Sequence, residues 1–196
     1  MSFCVNFDLD GTLINSMNLN LFCWSQIFKK NKIKINKNDY FLNEGLKGKD
    51  LLKLFSKKYN FKIENKAKSI WEEKDKIFLK NYKFKPYPNT IKLLSKLKNN
   101  NIKTSIVTAG NAMRVKKILP LSFQKYFDVI LTSEDYNKSK PHPECYIKAC
   151  KLLDCDPKKS FVVENAPLGI SAGKKAGCTT LAITNTLDYI YLKEAN

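Results

Sequence analysis

The chain opens on a short apolar run, Phe3-Cys4-Val5-Asn6-Phe7, that leads straight into Asp8-Leu9-Asp10-Gly11-Thr12-Leu13. The run predicts a buried strand over about Phe3 to Asp8. Side chains alternate across a strand, which places Asp8 and Asp10 on one face and Leu9 on the other. Gly11 and Thr12 then turn the chain out of the sheet. Apolar and aromatic residues recur at helical spacing from Leu19 to Lys30, Leu51 to Tyr59 and Glu64 to Tyr82, predicting three helices. Past Pro86-Tyr87-Pro88-Asn89 the texture changes. Asn89 is the expected N-cap of an amphipathic helix over Thr90 to Lys98, which Asn99-Asn100-Asn101 ends. Apolar strand patterns at Ile102 to Thr108, Phe127 to Thr132, Ser160 to Val163 and Thr179 to Ile183 then alternate with helical ones at Ala112 to Leu119, Pro143 to Leu153 and Leu168 to Ala176. The tail after Ile183 has no clear period.

Such alternation predicts an α/β fold, a mostly parallel sheet with helices on both faces. The two prolines between Tyr82 and Pro88 mark the return from an inserted helical unit of about 70 residues, the size of a small subdomain. The expected division is a core of residues 1–16 and 84–196 and a helical insert of 17–83.

With 196 residues, 43% of them hydrophobic, the chain suffices for one good-sized domain with a small insert. The aspartates that follow the first apolar run exclude a signal-peptide core, and no stretch approaches the roughly 18 uninterrupted apolar residues of a membrane helix, so a cytoplasmic protein with no membrane partner is expected. Cys4, Cys23, Cys145, Cys150, Cys155 and Cys178 show neither a C-x-x-C pair nor zinc spacing and read as reduced, mostly buried thiols. The net charge of +17 raises a nucleic-acid reading, centred on the basic run from Lys29 to Lys37. Yet Arg114 is the only arginine, and the lysines are spread along the whole chain among asparagines and isoleucines. Base and phosphate readers lean on arginine forks. Solvated lysine faces that draw in anionic metabolites follow instead, and no nucleic-acid partner is assigned. No pattern speaks to oligomeric state.

Ligand sites of open α/β sheets lie beyond the C-terminal ends of the strands. Those ends carry Asp8 and Asp10, Thr108 with Ala109-Gly110, the connection from Thr132 to Lys140, and Glu164-Asn165. Acids, a hydroxyl, a lysine and an amide oxygen are the parts that hold a divalent cation and a phosphoryl group together.

These segments resemble the haloacid dehalogenase-like hydrolase superfamily, in its branch of phosphoglycolate phosphatases and β-phosphoglucomutases. Phe7 to Leu13 resembles the Asp-x-Asp-Gly-Thr motif, and Ser105 to Thr108 the apolar strand ending in Ser or Thr. Ser139-Lys140-Pro141-His142-Pro143 resembles the lysine motif, and Phe161 to Ile170 with Ala176-Gly177 the acidic motif. The insert resembles the branch's small helical cap. What the resemblance implies is a Rossmann-like core under that cap, and a Mg²⁺-dependent phosphatase acting on a small phosphorylated metabolite, a sugar phosphate or phospho-acid. Asp8 would be the nucleophile that becomes an aspartyl-phosphate, and Asp10 the general acid and base, its backbone carbonyl on the metal. The metal would be held by Asp8, Asp10, Glu164 and Asn165, and the phosphoryl group by Thr108, Ala109, Gly110 and Lys140. Many relatives carry two adjacent acids where this chain has Glu164-Asn165. One formal charge fewer predicts weaker metal affinity, with a larger share for Glu164.

The alternative within the branch is a phosphosugar mutase, which grips a second phosphate in the cap where relatives use an arginine; residues 17–83 contain none. Dehalogenases and phosphonate hydrolases lack an acid at the position of Asp10. A non-catalytic polyanion-binding protein would predict damage to Asp8, Asp10 or Lys140, and all three are intact. Gly45-Leu46-Lys47-Gly48-Lys49-Asp50 lacks the spacing and the Ser or Thr of a phosphate-binding P-loop. It falls where related caps place a specificity loop, so Lys47 and Lys49 are candidate contacts for an anionic substrate group, the alternative being solvated lysines. Trp24 and Trp71 are expected to pack inside the insert, and His142 to sit in a loop.

Overall fold

The computed structural model describes residues 2–30, 32–63 and 66–196. Five strands, β1 (Cys4–Phe7), β2 (Lys103–Val107), β3 (Val129–Leu131), β4 (Phe161–Glu164) and β5 (Thr179–Ala182), form one parallel sheet in the order β3-β2-β1-β4-β5. The central strand, β1, pairs Asn6 with Ser105 on one side and with Val162 on the other. Between β1 and β2 run α1 (Met17–Lys29), α2 (Lys37–Leu42), α3 (Gly48–Lys58), α4 (Ala67–Asn81) and α5 (Thr90–Asn99). The later connections are α6 (Ala112–Ile118), α7 (Leu121–Gln124), α8 (Glu144–Leu152) and α9 (Pro167–Lys175).

β1 is buried on both faces and is apolar apart from Asn6, whose buried side chain donates to the Phe161 carbonyl and accepts from Ser105 Oγ. Val5 and Phe7 enter one core with Leu94, Ile106, Val115 and Phe123. Cys4 enters a second with Val107, Tyr146, Cys150 and Val162. A third cluster gathers Trp24, Phe28, Phe41, Leu52 and Phe55 of the helical insert and continues into Ile170 of α9 and Leu187 and Leu192 of the tail. The two linkers to the insert lie side by side. Asn15 N–H donates to the Lys85 carbonyl at 2.9 Å, and Tyr87 N–H to that of Leu13 at 3.1 Å.

Some local expectations need correction. Asn89 precedes α5 but sits in the left-handed region (φ 64°), and its side chain caps nothing. Two short helices, α2 and α7, were hidden. In α2 the Asn36 side chain accepts from Asn38 N–H, and Tyr40 and Phe41 are buried, yet the lysines around it mask that pattern. The tail forms only a 3-10 turn at Tyr189–Tyr191. The expected helix start at Glu64 lies outside the described residues, as does Asn31 of the basic run. All six cysteines are free and buried. No helix among the described residues is long and apolar enough to cross a membrane.

Candidate active site

β1 delivers Asp8 to the C-terminal edge of the sheet, where its N–H donates to the Val163 carbonyl at 3.0 Å. Leu9 points into the core and is fully buried, so both neighbouring acids face away from it. The two acids take different partners. Asp8 turns toward Lys140, whose Nζ donates to Asp8 Oδ1 at 2.9 Å, to Glu164 Oε1 at 2.7 Å and to the Val107 carbonyl at 3.1 Å. Lys140 is fully buried. Burial favours its neutral form, but Asp8 and Glu164 outweigh burial and hold the ammonium well above the ordinary lysine range. For Asp8 burial pushes the carboxyl upward, with Lys140 pulling against it and Glu164 adding to it. Its Oδ2 is buried without a hydrogen-bond partner among the described residues, which costs about 1–3 kcal/mol for such a group.

Glu164 ends β4. Its Oε1 also accepts from the Tyr146 hydroxyl at 2.6 Å, and its Oε2 from Asn165 N–H at 3.1 Å. The carboxylate rests directly on α9: a Cβ on Gly169 would lie 1.8 Å from Oε1. Gly169→Ala is therefore expected to displace Glu164 and, through it, Lys140. Thermal unfolding should show a loss of about 1–3 kcal/mol, and turnover should fall with it.

Asp10 faces the helical insert. Ser16 Oγ at 2.5 Å, Asn20 Nδ2 at 3.1 Å and Arg114 Nη2 at 2.5 Å all donate to its Oδ1, and no described residue donates to its Oδ2. Burial raises the Asp10 carboxyl, but the Arg114 charge and bond, with the Ser16 bond, overcome this and hold it below the usual range. Arg114 is itself buried, with its guanidinium 4.3 Å from the centre of the Phe78 ring. Behind Asn20 the network continues: Lys74 Nζ donates to Asn20 Oδ1 at 2.6 Å and to Asp75 at 3.4 Å, and Asn111 donates to the other Asp75 oxygen.

Thr108 is buried after β2, and its Oγ1 accepts from Gly110 N–H at 3.0 Å. Ala109 N–H has no acceptor among the described residues and is the amide of that turn left for a ligand. Ala109 and Gly110 line a narrow cleft with Asp10, Arg114, Lys74 and Glu44, with a cavity volume of about 40 Å³ while the insert sits closed on the core. Burial raises the Glu44 carboxyl to about 7, assisted by Asp10 and opposed by Tyr40, Lys74 and Arg114. A raised carboxyl holds its proton more tightly folded than unfolded, so its contribution is fully present at low pH and is lost as pH rises through about 7. Glu44→Gln, which cannot ionise, should gain on wild type by about 1–3 kcal/mol between about pH 5 and about pH 8; denaturant titration at the two pH values checks it.

Two candidate contacts are not brought here. Lys47 is buried with its Nζ on the Asn137 carbonyl at 3.1 Å and on that of Tyr136, so it ties the 44–48 loop to the loop that carries Lys140. Lys49 is exposed and lines a separate groove with Lys53, Phe61 and Lys62. Trp24 packs on Phe28 as expected, but both it and Trp71 also line the cleft. His142 lies in the loop before α8, its Nδ1 accepting from Glu144 N–H. The residues that sequence reasoning missed are Arg114, Asn20, Lys74 and Glu44. Of these only Arg114 carried a usable sign, being the sole arginine in a lysine-biased chain.

The donor set suits a small hard cation. Asp8 Oδ2 is orphaned, the Asp10 carbonyl accepts no hydrogen bond among the described residues, and Asn165 Oδ1 accepts only one, from Thr12 Oγ1 at 3.2 Å. Both Glu164 oxygens already accept hydrogen bonds, Oε1 from Lys140 and Tyr146 and Oε2 from Asn165 N–H. No group of three or more His, Cys, Asp or Glu side chains gathers at metal distance among the described residues. The site therefore offers one carboxylate plus neutral oxygens, a combination that Mg²⁺ completes with water and substrate phosphate.

Residues 5–183 match the family model described as haloacid dehalogenase-like hydrolase. The chain is 28% identical over 200 residues to the validoxylamine A 7'-phosphate phosphatase of Streptomyces hygroscopicus subsp. limoneus, across 97% of this chain and 89% of that one. It is 31% identical over 195 residues to the pyrophosphatase PpaX of Bacillus cereus, across 93% and 83%. Among solved structures, β-phosphoglucomutase from Clostridium difficile superposes with a TM-score of 0.82 at 27% identity, over 100% of this chain and 89% of that one.

Proposed function

The chain belongs to the haloacid dehalogenase-like hydrolase family, and from that premise we propose that it is a Mg²⁺-dependent phosphatase that hydrolyses a small phosphorylated metabolite through an aspartyl-phosphate on Asp8. The observation that carries this reading is the Asp8 carboxylate, buried, held by Lys140 through one oxygen and left without a donor on the other. Its attack on phosphorus forms an acyl phosphate and breaks the bond to the substrate's alcohol oxygen, which takes a proton from Asp10. Asp10 then takes a proton from the water that attacks the same phosphorus, the bond from phosphorus to the Asp8 oxygen breaks, and inorganic phosphate leaves with the Asp8 carboxylate restored. With Oδ1 of Asp10 held by Ser16, Asn20 and Arg114, Oδ2 is the oxygen that carries the proton. The Arg114 pair keeps Asp10 ionised, which suits the base; a phosphate dianion arriving beside it raises the carboxyl again by like-charge repulsion, which suits the acid.

Thr108 and the Ala109 N–H bind the phosphoryl oxygens, and Lys140, whose three N–H bonds go to Asp8, Glu164 and the Val107 carbonyl in the free enzyme, trades one of them for a phosphoryl oxygen. Asp8, the Asp10 carbonyl and Asn165 would hold Mg²⁺, which would supply the positive charge that lets a dianion approach two aspartates. Asp8 is only 4% exposed, and the 44–48 loop is tied to the loop that carries Lys140, so substrate entry is expected to loosen that contact. The paired linkers at 13–15 and 85–87 are where the insert of 17–83 hinges on the core of 1–16 and 84–196, acting as a cap that excludes water during turnover. The mutase reading needs a cation free to grip a second phosphate, and both cations of the cleft are already paired with acids.

A phosphate-release screen over phosphometabolites, with and without Mg²⁺ and including β-glucose 1-phosphate with its bisphosphate activator, tests the reading. Phosphate release that a chelator abolishes supports it; isomerisation without release would replace it with the mutase. Added Mg²⁺ should also raise the Tm of wild type, by the equivalent of about 2.7 kcal/mol at 100-fold over Kd, and should do less for Asp8→Ala.

A further inference from the structure

The cleft beside Asp10 carries more information than the phosphate site does. Its wall is Trp71, seated so closely on α3 that a Cβ on Gly48 would lie 2.5 Å from the ring. Asn20, Tyr40, Asn43 and Glu44 also line the cleft. The charges inside are almost all spent on each other: Arg114 on Asp10, and Lys74 on Asp75 and the Asn20 oxygen. Glu44 is the carboxylate of the cleft that makes no ion pair among the described residues.

A second anionic group on the substrate would meet Glu44 and Asp10 with no uncommitted cation to receive it, and would have to break a buried ion pair. An ammonium group would approach Glu44 only beside Lys74 and Arg114, which repel it. Hydroxyls donate to Glu44 and accept from the side-chain amides and phenol, and the apolar face of a carbon chain or ring lies against an aromatic wall. We infer that this cleft is the leaving-group subsite and that it selects the phosphate ester of an uncharged polyhydroxylated alcohol, an open-chain polyol or single sugar, with Glu44 as the acceptor that recognises its hydroxyls. The inference rests on the phosphatase reading and narrows it, setting aside phospho-acids, bisphosphates and pyrophosphate.

The test compares kcat/KM of the full chain for glycerol 1-phosphate and sorbitol 6-phosphate with phosphoglycolate, pyrophosphate and phosphoethanolamine, using p-nitrophenyl phosphate as a general reporter of turnover. The better polyol ester should exceed each charged competitor by at least about 10-fold. Glu44→Lys should shift the ratio of phosphoglycolate to polyol ester upward by about 10-fold or more. Should that variant fold poorly, the nearly isosteric Glu44→Gln should still lose more efficiency on the polyol ester, chiefly in KM, than on phosphoglycolate. Best turnover of phosphoglycolate, pyrophosphate or phosphoethanolamine by wild type would overturn the inference, and so would a ratio that neither variant moves. Turnover of p-nitrophenyl phosphate with no polyol ester hydrolysed would also overturn it while sparing the phosphatase reading. No hydrolysis of any ester would instead remove the phosphatase reading, and the inference with it.

Discussion

Lys140→Met is expected to destabilise the protein by about 3–5 kcal/mol near neutral pH, because it strands two buried carboxylates. Lys140 is fully buried and donates to Asp8, Glu164 and the Val107 carbonyl. Methionine fills much of the same volume but supplies neither charge nor donor. Asp8, already pushed upward by burial, would lose the cation that pulls against it, so the variant should recover stability as pH falls and Asp8 becomes protonated. Turnover should fall by at least about 10²-fold, the loss of one donor at a developing oxyanion. Lys92→Met, on the exposed side of α5, is the control and should stay within about 0.5 kcal/mol of wild type. Denaturant titrations at neutral and acidic pH, with phosphate release on the same samples, read both effects.

Asp8→Asn should separate chemistry from folding. The amide is nearly the same shape, keeps an oxygen for Lys140 to bond, and removes the buried carboxylate whose Oδ2 has no partner. The fold should therefore hold, with a Tm equal to or above that of wild type without metal. Turnover should drop by at least about 10⁴-fold, since an amide oxygen is not a nucleophile toward phosphorus and no neighbouring group is placed to substitute. Circular dichroism and phosphate release together check both halves. A variant that retained wild-type turnover would remove Asp8 from the nucleophile's role.

The two outcomes also show how unevenly the chain discloses its site. The sheet was legible because its strands are short apolar runs that end in polar residues, and strand ends are where ligands bind. Asp8, Thr108, Lys140 and Glu164-Asn165 could be named from that rule, and the fold gathers them at one edge of the sheet, with Lys140 joining Asp8 to Glu164. The helical insert was less legible, because a helix pattern says which face is buried but not what that face meets. Lys47 and Lys49 looked alike in sequence, two residues apart; one is tied to the Tyr136-Asn137 backbone and the other is exposed. Glu44 sits in an Asn-Glu-Gly stretch that reads as a turn, and only tertiary packing puts it beside Asp10. Arg114 lies in an ordinary amphipathic helix. In a chain where nearly every cation is lysine, however, a retained arginine marks a place that needs a planar fork and a charge that survives burial, and here it grips Asp10 from 2.5 Å.

In the proposed reaction phosphorus becomes bonded to Asp8 during turnover. Rapid acid quenching of the enzyme mixed with a substrate it hydrolyses, followed by peptide mass analysis, tests it most directly. The peptide carrying Asp8 should gain the mass of one phosphoryl group, transiently and in wild type only, and should not gain it in Asp8→Asn. Phosphate released at full rate with that peptide unmodified at every time point, or the added mass found on Asp10, would contradict the account.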